Sequence, residues 1–397
     1  MAVGTRVRRA RGVAVALAVS VAVVVVVHRA QDGASTATSA AGASATPGVT
    51  ALPAGRCTVG DRYGGISPDG TLPGASPAEA GHLLDEVVES GATRVRLGAV
   101  WSLVEPEPGR TQWASIDATL LAARARGLQV LLLLTYTPAW ARPAGTDDKT
   151  APASEAAVAA FGAFARAAAT RYVQQGVTAF EIWNEPNVDA FWAPAPDPAG
   201  YARLLRAAAA GIRAVIPTAT IVTGGLAPAA DAADGRQISP LTFVRDLYAE
   251  GAQNLFTAVG LHPYAFPVLP KQPGTGSYNA FQRAPRLHEV MAEHGDDAKR
   301  IWFTEFGAPT GRAKDAVTDE QQAATVSQGY AALPDWPWAG PLFTYTLRDA
   351  GTDPQDREQN FGLRRYDDTP KPAWAAFQRA MSAPGSGCPQ HPRPGRR

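Results

Sequence analysis

Val130-Leu131-Leu132-Leu133-Leu134 decides the fold. A run apolar on both sides of its pleat reads as a strand buried on both faces, as in a parallel sheet covered by helices. Working outward, Thr93-Arg94-Val95-Arg96-Leu97 precedes it and Ala179-Phe180-Glu181-Ile182-Trp183 follows it, each separated from it by an Ala- and Leu-rich helical stretch. The same alternation continues through Ile221-Val222-Thr223, Ala258-Val259-Gly260-Leu261, Ile301-Trp302-Phe303-Thr304 and Pro341-Leu342-Phe343-Thr344-Tyr345. With a weaker first candidate at Arg62 to Ile66, the series has the length of an eight-stranded barrel.

Helix punctuation agrees with this reading. Ser76-Pro77-Ala78-Glu79 offers an N-cap, a proline at the first helical position and a capping-box Glu, and Gly91 closes that helix. Ser239-Pro240 opens another, ended by Gly251, and Thr318 with Gln321 opens a third. Val158, Phe161, Ala165, Ala168 and Tyr172 share one helical face. A doubly wound open sheet is the competitor, but Gly64-Gly65-Ile66-Ser67 lacks the glycine spacing of its phosphate turn. The expected fold is a (β/α)8 TIM barrel, whose chemistry belongs at the C-terminal ends of its strands.

Two segments there carry carboxylates: Phe180-Glu181-Ile182-Trp183-Asn184-Glu185-Pro186-Asn187 at the fourth strand and Ile301-Trp302-Phe303-Thr304-Glu305-Phe306-Gly307 at the seventh. Two carboxyl groups facing each other across a barrel mouth suit retaining glycoside cleavage. One attacks the anomeric carbon while the other donates a proton to the leaving oxygen and later activates water; a gap of about 5–5.5 Å enforces that sequence. Like-charge repulsion keeps one of the pair protonated near neutral pH. Taken singly, each Glu also fits a loop carboxylate capping a helix; the pair in these contexts does not.

Trp183-Asn184-Glu185-Pro186-Asn187 and Thr304-Glu305-Phe306-Gly307 resemble the acid/base and nucleophile motifs of glycoside hydrolase clan A, and look most like family thirty-nine. The similarity runs from about Arg62 to Gln378. It implies Glu185 as acid/base, Glu305 as nucleophile and Asn184 as the amide that bonds the sugar 2-hydroxyl. Arg96 corresponds to the arginine that pairs with the nucleophile. In His262-Pro263-Tyr264, Tyr264 corresponds to a donor to the nucleophile and His262 to a positioning group. Clan members place a Trp at the eighth strand as a sugar platform; this chain offers Tyr345, since Trp338 lies too early. Trp101, Trp140 and Trp192 follow strands two, three and four and are candidate sugar-stacking surfaces.

Other chemistries find little support. His288-Glu289 and Glu293-His294 lack the histidine pair of a zinc protease, no Gly-x-Ser-x-Gly elbow occurs, and Gly274-Thr275-Gly276-Ser277 lacks the Lys of a phosphate loop. That last segment reads as a flexible insert, roughly Phe266 to Tyr278, bordering the cleft. The mechanism requires no metal or organic cofactor.

The 397 residues contain 37 Lys+Arg and 36 Asp+Glu, 46% hydrophobic residues, 38 Gly and 33 Pro, enough apolar material for one large core. Arg6, Arg8, Arg9, Arg11 and Arg29 lie at the start and Arg393, Arg396 and Arg397 at the end, so the intervening chain is acidic. Such a body is a poor partner for nucleic acid. Arginines before an apolar stretch from Gly12 to Val27 mark residues 1–29 as a cleaved export signal or a retained membrane anchor. Either reading puts the rest of the chain outside the cytoplasm. Residues 30–56 form an Ala/Ser/Thr/Gly-rich linker, 57–388 the catalytic barrel and 389–397 a basic tail. The two cysteines, Cys57 and Cys388, bracket the barrel and are expected to form a disulfide in an exported chain. The sequence thus points to a monomeric, secreted or surface-anchored retaining glycosidase acting on an oligo- or polysaccharide. The alternative is a non-catalytic barrel that binds cell-surface or exopolysaccharide glycan, in which the two carboxyls would not converge.

Overall fold

Each of the apolar runs forms a strand, and helices cover the sheet they build. In the computed structural model, which describes residues 57–68, 72 and 75–385, the strands are β1 (Gly64–Ile66), β2 (Arg94–Val100), β3 (Gln129–Thr135), β4 (Ala179–Asn184), β5 (Thr220–Gly225), β6 (Ala258–Leu261), β7 (Arg300–Phe306) and β8 (Ala339–Thr344). They close in sequence order, β1 pairing with β8, every neighbour parallel. The helices are α1 (Val59–Tyr63), α2 (Pro77–Glu89), α3 (Trp101–Val104), α4 (Ala114–Ala125), α5 (Glu155–Tyr172), α6 (Pro198–Arg213), α7 (Pro240–Ala249), α8 (Ala280–Glu293), α9 (Asp319–Tyr330) and α10 (Pro372–Ser382). The signal or anchor (1–29), the linker (30–56), the basic tail (389–397) and Cys388 lie outside the described residues. Among the described residues no helix is long and apolar enough to cross a membrane.

The caps act as their residue types dictate. Ser76, Ser239 and Thr318 each accept a backbone N–H at the start of α2, α7 and α9, and Gln321 returns the bond to Thr318. Arg62 is helical rather than part of the first strand, because Thr58 and Asp61 form a capping box that draws Val59–Tyr63 into α1. The segment after β6 is packed and capped: Phe266 is buried against Tyr264 and Phe361, and Asn279 bonds Leu269 and caps α8.

Inside the barrel, Leu131, Val222, Ala258 and Phe343 pack with Ala179 and Trp302 as an apolar floor. Alternation along the strands then places Arg96 on β2, Glu181 on β4 and Thr304 on β7 above that floor, facing inward. β7 shifts register against β8 between Phe303 and Phe306, and both of those rings pack outward. The extra residue lets the adjacent Thr304 and Glu305 both face the interior, which strict alternation would forbid. The larger core lies between the strands and the helices, and includes Phe161, Ala165, Ala168 and Tyr172 of α5.

Candidate active site

Two carboxylates and one guanidinium form the base of the site. Arg96, 6% exposed, donates from Nε to Glu181 Oε2 at 2.6 Å, from Nη1 to Glu305 Oε1 at 2.6 Å and from Nη2 to Asn184 Oδ1 at 3.0 Å. Burial works against its charge, but Glu181 and Glu305 outweigh burial and hold it charged. Glu181 is fully buried and also accepts from Gly225 N at 2.9 Å and Thr304 Oγ1 at 2.8 Å. Its role was not foreseen. The signal was there: a charge at the middle of a strand buried on both faces must find a partner, and Arg96 sits at a matching inward position.

Glu305 has a second donor, the Tyr264 hydroxyl, 2.8 Å from Oε2. Burial and the neighbouring Glu305 charge push the Tyr264 phenol well above its usual range, so it stays a donor. Glu185 is 1% exposed and follows β4 with a left-handed φ of 48°, two residues after Trp183 at 73°. Such backbone in bulky residues is held by surrounding structure and clusters at functional sites; here Glu185 N donates to Gly225 O at 3.1 Å. Glu185 Oε1 lies 2.8 Å from His262 Nδ1, and Oε2 is buried without a partner. His262 Nδ1 is also 3.6 Å from Glu305 Oε2, and oxygens of Glu185 and Glu305 approach within 4.8 Å.

The pair is electrostatically unequal. Burial pushes Glu185 upward, and the Glu305 charge adds to the rise. Burial also raises Glu305; Arg96 and Tyr264 work against it, the Glu181 charge adds to it, and the net shift is upward. Arg96 and the Tyr264 hydroxyl both donate to Glu305 and favour its carboxylate form. Glu185, His262 and Glu305 together offer three metal-ligand atoms within 4.8 Å of one another; Glu185 is hydrogen-bonded to His262, and Glu305 to Tyr264 and Arg96.

The aromatic expectations divide. Trp101 is fully buried, edge-on to Trp140 and Phe161 and stacked on Phe164, so it is core and not a sugar surface. Trp192 is 2% exposed between Trp183 and Tyr201 and is likewise packing. Trp140 is half-buried, its Nε1 donating to Glu105 O at 2.8 Å, and keeps an open edge. Tyr345 follows β8 and packs beside Tyr264, the residue bonded to Glu305, and Phe361. Trp338 stacks on His288 outside the barrel. Two neighbours escaped the sequence reading: Tyr136 after β3, which the Glu185 and Glu305 charges reach, and Glu358 after β8.

Comparison with known proteins agrees with this fold. A solved family 39 glycoside hydrolase from the gut symbiont Bacteroides cellulosilyticus superposes with a TM-score of 0.65 at 24% identity, over 82% of this chain and 64% of the other. A monomeric β-xylosidase from Caulobacter crescentus gives 0.63 at 21% identity, over 84% of this chain and 70% of that one. Both likenesses are of fold. A β-galactosidase of Thermus thermophilus is 44% identical over 45 residues, which is 11% of this chain and 7% of that enzyme. The family profile described as cellulase (glycosyl hydrolase family 5) matches residues 71–336. That match spans more than half of the chain, which belongs to the cellulase family, glycosyl hydrolase family 5, within clan A.

Proposed function

We propose that the protein is a retaining β-glycoside hydrolase with Glu305 as nucleophile and Glu185 as acid/base. The observation that carries this reading is the convergence of the two carboxyls, with oxygens within 4.8 Å, under unequal hydrogen bonding. The Glu305 carboxylate attacks the anomeric carbon as the glycosidic bond breaks, and Glu185 gives its proton to the departing oxygen. Glu185 Oε2, unpartnered and buried, is the atom left free for that oxygen. Esterification removes the Glu305 charge, so Glu185 becomes the base that takes a proton from water, and water's oxygen displaces Glu305 with net retention. Asn184 Oδ1 accepts from Arg96 Nη2, which orients Nδ2 as a donor toward the sugar 2-hydroxyl. Tyr345 is the remaining aromatic at the eighth strand for the sugar face.

The substrate is a β-linked oligo- or polysaccharide outside the cytoplasm, cleaved by a monomer that is secreted or anchored through residues 1–29. Relatives named for β-galactosides and β-xylosides support the linkage, and the arginine-led apolar segment supports the location. The test is Glu305→Ala assayed on a panel of aryl β-glycosides and β-glucans. Turnover falls by several orders of magnitude while circular dichroism stays native. Unchanged turnover, or a wild type that binds glycan without cleaving it, overturns the reading.

A further inference from the structure

Beneath the acid/base pair lies a chain of hydrogen bonds with no freedom of direction. Glu181 accepts from Arg96 Nε, Gly225 N and Thr304 Oγ1. The single Thr304 hydroxyl proton is thereby committed to Glu181. The Thr304 oxygen, 3.1 Å from His262 Nε2, can then only accept, and Nε2 must carry a proton. In the neutral ring, Nδ1 is left with its lone pair facing Glu185 Oε1 at 2.8 Å. An ionised Glu185 there would set two lone pairs against each other in a buried site; one proton between them removes the clash. Gly225 is part of the device, because a Cβ at that position would collide with both His262 Nε2 and Thr304 Oγ1.

We propose that Thr304, held by Glu181, is a positioning residue that fixes the His262 tautomer, so that Glu185 and His262 keep one proton between them to higher pH. The proposal rests on the reading of Glu185 as acid/base. A half-turn of the Glu185 carboxyl about Cγ–Cδ carries that proton to the position facing the leaving oxygen. Other charges meet the pair from every side. Glu305 Oε2 of β7 lies 3.6 Å from Nδ1 and Tyr264 presents its ring edge. Arg96 of β2 bridges Glu181 and Glu305, while Glu358 acts on Glu185, and Glu185 on Tyr136, through space. None of these fixes the Nε2 proton; Thr304 does.

The test uses Thr304→Val and Thr304→Ser in the full chain. Valine cannot accept from Nε2, so neutral His262 moves its proton to Nδ1 and donates to an ionised Glu185. The alkaline limb of the kcat/KM profile then moves to lower pH by about one unit, and serine restores it. Nitrogen-15 NMR of the histidines, with the His262 signal identified by His262→Asn, reads the tautomer without any substrate. Neutral His262 carries its proton on Nε2 in the wild type and the serine variant and on Nδ1 in the valine variant. An Nδ1-protonated neutral ring in the wild type, or an unmoved alkaline limb in a folded valine variant, overturns the proposal. Should valine prevent folding, the wild-type spectrum alone decides. A catalytically dead wild type with an Nε2-protonated ring would sink the glycosidase reading and leave the tautomer lock standing.

Discussion

Glu358 adds a further carboxylate near Glu185 and Glu305. Burial, partly offset by the Arg357 guanidinium beside it, pushes its carboxyl up to about 7, and its Oε2 is buried without a partner. Its charge raises Glu185 and is in turn raised by Glu305. Replacing Glu358 by Gln removes a negative neighbour, so the Glu185 carboxylate becomes easier to form and the alkaline limb of the pH profile moves to lower pH. Profiles of kcat/KM for both proteins check the sign; a limb that moves upward contradicts it. Glu185 and Glu305 were legible in the sequence because strand-end carboxylates in aromatic and amide surroundings are rare. Glu181 was not, because a period-two reading of β4 treats it as one more strand residue until Arg96 is seen beneath it. Trp101 and Trp192 misled for a related reason: position after a strand does not say which way an indole points, and both turn into the layer under α5 and α6.

At the scale of elements, the alternation of strands and helices was readable because buried parallel strands and capped helices leave strong local patterns. The register shift in β7 was not readable, since it depends on pairing with β8, yet it is what aims Thr304 and Glu305 into the same cavity. The loop after β8, which carries Glu358, is fastened by a buried ammonium. Lys371 donates to Asp349 Oδ1 at 2.7 Å, Thr310 Oγ1 at 2.9 Å and Asn360 O at 3.0 Å, tying that loop to the start of α10 and to the loop after β7. Lys371→Met strands Asp349 as a buried charge and should cost roughly 3–5 kcal/mol in chemical denaturation. A loss below about 1 kcal/mol would show that the clamp is not structural.

For the whole molecule, barrel closure brings the two ends of the described chain together. Thr58 pairs with Pro384 and Gly385 N donates to Cys57 O at 2.8 Å, just short of Cys388. This proximity supports the proposed Cys57–Cys388 disulfide, which in the chain-entropy account stabilises by up to about 5 kcal/mol for so long a loop. Non-reducing peptide mapping should recover the linked pair, and Cys388→Ser should lower Tm; recovery of both thiols free would remove the bond. The central claim is that two glutamates distant in sequence meet at one anomeric carbon. Its most direct measurement is trapping with an activated 2-deoxy-2-fluoro β-glycoside of the sugar the panel selects, followed by mass mapping of the labelled peptide. A single glycosyl adduct on Glu305 is the expected result, and an adduct on another residue, or products released with inverted configuration, would contradict it.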